Sequence, residues 1–394
     1  MGEERMTRTS CEEWKPFMAM VVVDFAFAVL NILLKKVLDQ GLDHLVLVTY
    51  RLTISAIFLA PLATFGKVSA AGQPLSPAKA IFRDGRPKLT VRILCYLFLS
   101  AIVGASLTQY LFLLGIQYTS ATFACAFVNM VPVTTFLMAL PFGLEAVNIK
   151  CNSGKAKVIG TLVCIGGGAI LLLYKGVSLF DNNHSHATID RAITKLSSSK
   201  KAERWMIGSI ALIMGTLSWS SWFLLQSNIG KRYPYQYSST AIMSFFGAIQ
   251  SAILSFSTGS NLSVWILKGP LQIVTVVFAG MVGSGLGFVT MSWCVKKRGP
   301  VFTAAFSPLV QIMAAMIDIP ILHESLYLGN VIGSVVVIIG LYILLWGKKK
   351  EMQNFANKLA QETEENKIQE PQLQAITISS ESQAVAVSSD SRHS

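Results

Sequence analysis

The sequence predicts an all-α membrane protein: ten transmembrane helices in two inverted five-helix repeats, with both termini in the cytoplasm. Three observations carry this. The chain is 52% hydrophobic and 14% charged, with mean hydropathy +0.53, whereas a soluble domain holds about 25% charged residues. Apolar runs of membrane-crossing length fill most of the chain, since ~20 residues at ~1.5 Å rise cover ~30 Å. Finally, residues 121–145, ATFACAFVNMVPVTTFLMALPFGLE, recur without a gap 179 residues later as residues 300–324, PVFTAAFSPLVQIMAAMIDIPILHE.

The ten apolar segments lie near 17–36, 45–65, 93–115, 120–142, 156–174, 205–225, 237–257, 271–293, 300–322 and 329–347. Their length and periodicity make them helices. The expected organisation is a cytoplasmic amino terminus over 1–16 and a first repeat over 17–174. An exterior loop over 175–204, a second repeat over 205–347 and a solvated tail over 348–394 follow. The amino terminus mixes acidic and basic residues and lacks a cleavage site after the first apolar run, so no cleavable leader is expected.

Orientation follows from counting Lys and Arg between segments. With the amino terminus inside, 23 fall on the cytoplasmic side, 9 fall outside, and Arg51 lies within a segment. That bias places both termini inside. The loop 175–204 is discordant, being basic yet exterior. Two sequons, at Asn183 and Asn261, fall in predicted exterior loops and are candidate glycosylation sites. Five helices per half invert the second half relative to the first, a transporter architecture with its site near the midplane. Further correspondences link Gly104 to Gly283, Ile159-Gly160 to Ile332-Gly333, Gly167 to Gly340, and Trp14 to Trp205.

Each copy of the repeated stretch carries one proline and one amide three residues apart: Asn129 and Pro132, then Pro308 and Gln311. Proline removes a backbone donor, and in hydrocarbon the freed carbonyl must be satisfied by protein or by a water-filled cavity. These four residues therefore mark an expected substrate pathway, with Gln109 beside them. Asp24, inside the first segment, costs a few kcal/mol to ionise there and should face the interior. It reads as a proton or amine partner, or as a carboxylate bonded to a neighbouring helix. Arg51 in the second segment suits a carboxylate, by bidentate pairing, but can equally snorkel. Glu145 and Glu324 close their segments on opposite sides, as gates or as interfacial anchors. Gly280, Gly283 and Gly287, and the run 166–168, read as close packing surfaces.

The net charge of +12 is spread between segments and over the tail, so it sets topology and does not form a nucleic-acid surface. There is no CxxC among the six cysteines, and His184 and His186 lack further ligands; neither a metal nor a cofactor is expected. No P-loop, HExxH or GxSxG occurs, so no enzyme is read. The expected partners are a small-molecule substrate and the lipid bilayer, with a coupled proton and a homodimer admitted beside them. A non-transporting receptor or scaffold signalling through its tail is the alternative of another class.

Particular residues carry a family resemblance: KPFMAMVVVDFAFAVLNILLKKVLDQGL, Tyr50-Arg51 with LAPLATF, WSSWFLLQ with Tyr233-Pro234, GMVGSGLGFVTMSWCVKKRGPVFTAAFSPLVQI and HESLYLGNVIGSVVVIIGLYILLWGKKKE. Over roughly residues 14–351 the chain resembles plant members of the drug/metabolite transporter superfamily with two EamA repeats. It is similar to the nodulin-21-like group, which includes the Walls Are Thin proteins and the UMAMIT transporters. The resemblance implies a ten-helix inverted-repeat fold with a central cavity. It also implies bidirectional, facilitated or proton-linked movement of amino acids or related organic acids, and in one branch of auxin. The plasma membrane is the first expectation for its location and the vacuolar membrane the second. The chain departs from the group at Asp24, where glutamine is usual, and at Val29, where glycine is usual.

Overall fold

The computed structural model describes residues 2–65, 89–119, 124, 127–145, 150–174, 194–258, 262–322, 328–329, 331–354, 357 and 361. Each of the ten predicted segments contains helix among them. These are α1 (Gly2–Asp39), α2 (His44–Phe65), α3 (Val91–Tyr118), α4 (Phe127–Ala139) and α5 (Asn152–Leu173) in the first half. The second half holds α6 (Thr194–Arg232), α7 (Gln236–Ser257), α8 (Pro270–Arg298), α9 (Pro300–Ala304 and Ser307–Leu322) and α10 (Val331–Asn354). Among the described residues, seven helices are long and apolar enough to cross a membrane, in α1, α2, α3, α6, α7, α8 and α10. The apolar helices of α4 and α9 are shorter.

Three ends differ from expectation. Helix α1 starts at Gly2, α6 starts at Thr194 inside the predicted exterior loop, and α10 runs to Asn354, into the predicted tail. Apolarity stops before helicity does, because Lys, Glu, Ala, Met and Gln are good helix formers without being apolar. The turns have local causes. Gly41 (φ 87) ends α1, and the Asp43 carboxylate accepts from the Leu45 and Val46 N–H groups at 2.9 and 3.2 Å, capping α2. Gly299 (φ 90) followed by Pro300 turns α8 directly into α9.

Two helices contain wide π-type turns, at Ala101–Leu107 in α3 and Ala279–Gly287 in α8. The stretches nearly coincide under the 179-residue shift, with Gly104 and Gly283 in corresponding places. Single π turns of this kind concentrate at functional sites.

The packing is reciprocal between halves. Trp222 of α6 lies against Gly104 of α3, and Leu30 of α1, 192 residues earlier, lies against Gly283 of α8. A β-carbon at Gly115 would lie 3.3 Å from the Gly208 carbonyl. In the corresponding place the Cys294 thiol donates to the Pro16 carbonyl at 3.6 Å. Helices α2 and α7 meet through Ser55 and Ser244 hydroxyls at 3.0 Å, and through Leu52 against Gly247. Helices α5 and α10 do the same with glycines. β-Carbons at Gly340 and Gly167 would lie 2.8 and 3.1 Å from the carbonyls of Gly160 and Gly333. Every one of these contacts crosses from one half to the other, so the predicted repeat is also a repeat of contacts.

By compactness the chain forms two units, neither of which follows the halves. The larger comprises residues 1–147 and 160–342. Its core gathers Met20, Val23, Leu52, Val131, Trp222, Phe223, Met243, Phe288, Met291, Ala304 and Phe306. The smaller comprises residues 148–159 and 343–394. There Gly347 lies against Ser153 and Ala156, and Lys157, 1% exposed, forms an ion pair with Glu351.

Candidate substrate pathway

Proline breaks both repeated helices as the sequence requires. In α4 the chain turns at Met130, whose N–H reaches the Phe127 carbonyl at 3.1 Å, and Pro132 opens the helix that follows. In α9 the break falls at Ala305–Phe306, where the Phe306 N–H reaches the Thr303 carbonyl at 3.3 Å; Pro308 then opens Ser307–Leu322. Both prolines and Asn129 are buried, and Gln311 is half-buried. The two helices meet, Pro300–Ala304 of α9 packing on Val131–Ala139 of α4.

Protein satisfies the backbone around the first break. Ser220 of α6 donates to the Val131 carbonyl at 3.4 Å, Thr216 shares its hydrogen between its own Leu212 carbonyl at 2.8 Å and that of Phe127 at 3.4 Å, and the Ser220 and Thr134 hydroxyls share a hydrogen at 2.6 Å. The π-type stretch of α3 is treated likewise. Its Val103 carbonyl accepts from Ser218 of α6 at 3.0 Å and from Thr108 at 2.5 Å. Helix α6 therefore supplies hydroxyls to the weak points of both neighbours, Thr216 and Ser220 on the face towards α4 and Ser218 on the opposite face towards α3.

Asp24 is 2% exposed, and its Oδ2 has no hydrogen-bond partner. Arg51 is half-buried, and its Nε is buried without a partner. Among the described residues no ion pair joins the two. Gln109 is half-buried, just beyond the π-type stretch of α3. Glu145 is half-buried after the turn that closes α4. Glu324, Asn183 and Asn261 lie outside the described residues.

Two features escaped sequence reasoning. Trp219 and Trp222 stack at 5.0 Å and 12°, edged by Phe223 and tilted against Phe288 at 6.2 and 5.4 Å. Beside them a buried polar network joins four helices. Gln226 donates to Ser100 at 3.0 Å and accepts from Ser292 at 3.2 Å, while Ser100, Trp222 and Gln226 all reach the Met243 sulfur at 3.4 Å. The signal was the run WSSWFLLQ, residues 219–226, in which aromatic, hydroxyl and amide groups alternate at helical spacing inside an apolar segment.

A sequence model of the EamA-like transporter family matches residues 14–174 and again residues 206–346. The chain belongs to the EamA-like transporter family. As an EamA-like protein it is an integral membrane transporter and not an enzyme. Two WAT1-related proteins of Arabidopsis thaliana are each 46% identical to it, over 347 and 348 residues, covering 88% of this chain and 90% of theirs. A third is 44% identical over 340 residues, covering 86% and 88%. A solved crystal structure aligns with a TM-score of 0.55 at 13% identity, over 85% of this chain and 99% of its own, which is a likeness of fold alone.

Proposed function

We propose that this EamA-like protein moves amino acids across the plasma membrane, as a bidirectional facilitator or proton-linked exporter. Its ten helices would all span, in two inverted repeats over 17–174 and 205–347, with both termini cytoplasmic. The reciprocal packing supports that arrangement, since an exchange of halves maps α1 onto α6 and α3 onto α8. Helices α4 and α9 would line the path, with Asn129, Pro132, Pro308, Gln311 and Gln109 along it, and Glu145 and Glu324 at its two mouths.

One observation carries the cargo. The Arg51 guanidinium sits inside a span with its Nε buried and unpartnered. A fixed cation with an open donor is a receptor for a carboxylate, and a charge-assisted hydrogen bond contributes about 1.5–3 kcal/mol. The Asn129 and Gln311 amides offer acceptors for the ammonium. A second reading, auxin or another aromatic organic acid, is favoured by the Trp219–Trp222 stack, whose half-buried Trp219 presents a ring face.

The test is efflux of radiolabelled glutamine, and of a panel of amino acids, from oocytes or proteoliposomes, with an indole acid as competitor. Arg51→Gln should raise the KM for carboxylate cargo about tenfold or more. Transport equal to empty controls across the panel defeats the amino-acid reading, and competition by the indole acid alone selects the second.

A further inference from the structure

In the first half, the breaks in α3 and α4 are met by donors. Ser218 and Ser220 of α6 each give a hydroxyl hydrogen to a carbonyl, and Thr216 shares its own between the Leu212 carbonyl of its helix and that of Phe127. The second half is broken too, three positions earlier in the repeat, since Pro308 aligns with Asn129 and offers no N–H to the Ala304 carbonyl four residues back. The residues of α1 that correspond to the three hydroxyls, 192 positions earlier, are Asp24, Ala26 and Ala28. None is a hydroxyl. The polar one is a carboxylate, which when ionised only accepts.

Asp24 shares the face of α1 that meets the broken turn. Phe17, two turns earlier on the same face of α1, sets its ring 5.4 Å from Phe306 in the broken turn. Phe27, one turn later, lies against Gly287 of α8. Asp24 lies on the face between those two contacts, in the crevice of α1, α8 and α9, buried and with Oδ2 unpartnered. Where one half sets donor against acceptor, the other sets acceptor against acceptor. Unwound carbonyls beside a carboxylate have the chemistry of an ion site at a broken helix.

We propose that Asp24 and the carbonyls freed by the Pro308 break bind a monovalent cation, a proton or an alkali ion, which couples to transport. The proposal rests on the transporter reading but not on the identity of the cargo. A single carboxylate suits a single positive charge. No group of three or more His, Cys, Asp or Glu gathers among the described residues to hold an ion of higher charge. On the helices packed against α1, the titratable groups are Cys294, Lys296, Lys297 and Arg298 of α8 and Asp318 of α9, whose side chain lies outside the described residues.

The test uses the purified full-length protein in detergent, without cargo except in one separate arm that adds glutamine in choline chloride. Its unfolding midpoint is followed at constant ionic strength in sodium, potassium or choline chloride, and across pH. An alkali ion should raise the wild-type midpoint by about 2 °C or more over choline. If the ion is a proton, the midpoint instead rises as pH falls, because protonation favours the state that buries the carboxyl. Asp24→Asn should abolish whichever response is seen. Asp24→Thr, which restores the hydroxyl found at Thr216, should fold and be equally unresponsive. A wild type that answers to neither ion nor pH overturns the proposal, as does a response that survives in both variants. Stabilisation by an amino acid alone, lost in both variants, also overturns it and makes Asp24 the partner of the cargo ammonium. Failure of amino-acid transport leaves this readout untouched.

Discussion

Gly104→Ala and Gly283→Ala are the same substitution at corresponding places, and the structure separates them. A β-carbon at Gly104 would fall against the Trp222 indole, 2.5 Å from Cγ and 2.6 Å from Nε1. Contact of ordinary length begins at 3.4 Å and Cδ1 lies nearer still, so more than 1 Å must be relieved. Trp222 has little freedom to give it, being fully buried, stacked on Trp219 and bonded to the Met243 sulfur. Overpacking of this kind costs about 1–3 kcal/mol, and disturbing the aromatic pair a further ~0.5–1.5. Helix propensity returns about 1 kcal/mol when alanine replaces glycine. The expected net loss is therefore about 1–3 kcal/mol. At Gly283 the obstacle is Leu30 Cδ2 at 2.6 Å, a terminal methyl that can rotate away. There the net change should be within ~1 kcal/mol of zero. Trp222→Leu, which installs the residue found at Leu30, should make Gly104→Ala nearly harmless in the double variant, a coupling of at least ~1 kcal/mol. Thermal midpoints by fluorescence-detected size exclusion measure all four. Equal losses at the two glycines, or additivity in the double variant, would refute the reasoning.

Three further outcomes are expected. Thr216→Val combined with Ser220→Ala should lower stability by about 1 kcal/mol, two interhelical bonds at ~0.6 each, read from the same midpoints. Glu351→Gln should cost about 1–3 kcal/mol, less than a fully buried pair would, because Glu351 keeps 35% of its side chain exposed while Lys157 keeps 1%. Glu351→Met with Lys157→Met should recover most of that loss. Glycosidase treatment of protein from a eukaryotic host should sharpen its gel mobility in steps lost one at a time in Asn183→Gln and Asn261→Gln; modification of neither would remove that support for the exterior placement of both loops.

Much of the fold was legible because hydrophobicity and repetition are read directly from residues. Ten apolar runs became helices, and the gapless echo at 179 residues located both broken helices. The correspondence of the first helices was less legible. The sequence pairs Trp14 with Trp205, 191 apart, whereas Leu30 and Trp222 fill matching places at 192. Packing fixes register by which side chain enters which gap, and identity of residue type need not follow. Helix ends at Gly2, Thr194 and Asn354 were invisible because the signal was apolarity, which polar helix formers lack. Of the candidate site, Asp24, Arg51 and the two prolines were legible as costly residues in hydrocarbon. The bonding hydroxyls of α6 were not, because Ser and Thr in an apolar run signal nothing until the carbonyl that each one meets is known.

The wide turns in α3 and α8 have a consequence for which changes of length the chain tolerates. A π-type turn holds one residue more than an α turn. Removing one residue inside 101–107 or 279–287 would let the helix close into ordinary α form while the rest of it keeps facing the same neighbours. The same deletion elsewhere in α3 or α8 would swing everything beyond it through about 100° and pull Gln109 or Cys294 off its face. A scan of single-residue deletions along these two helices should therefore find two islands of tolerance, one in each half, at matching places.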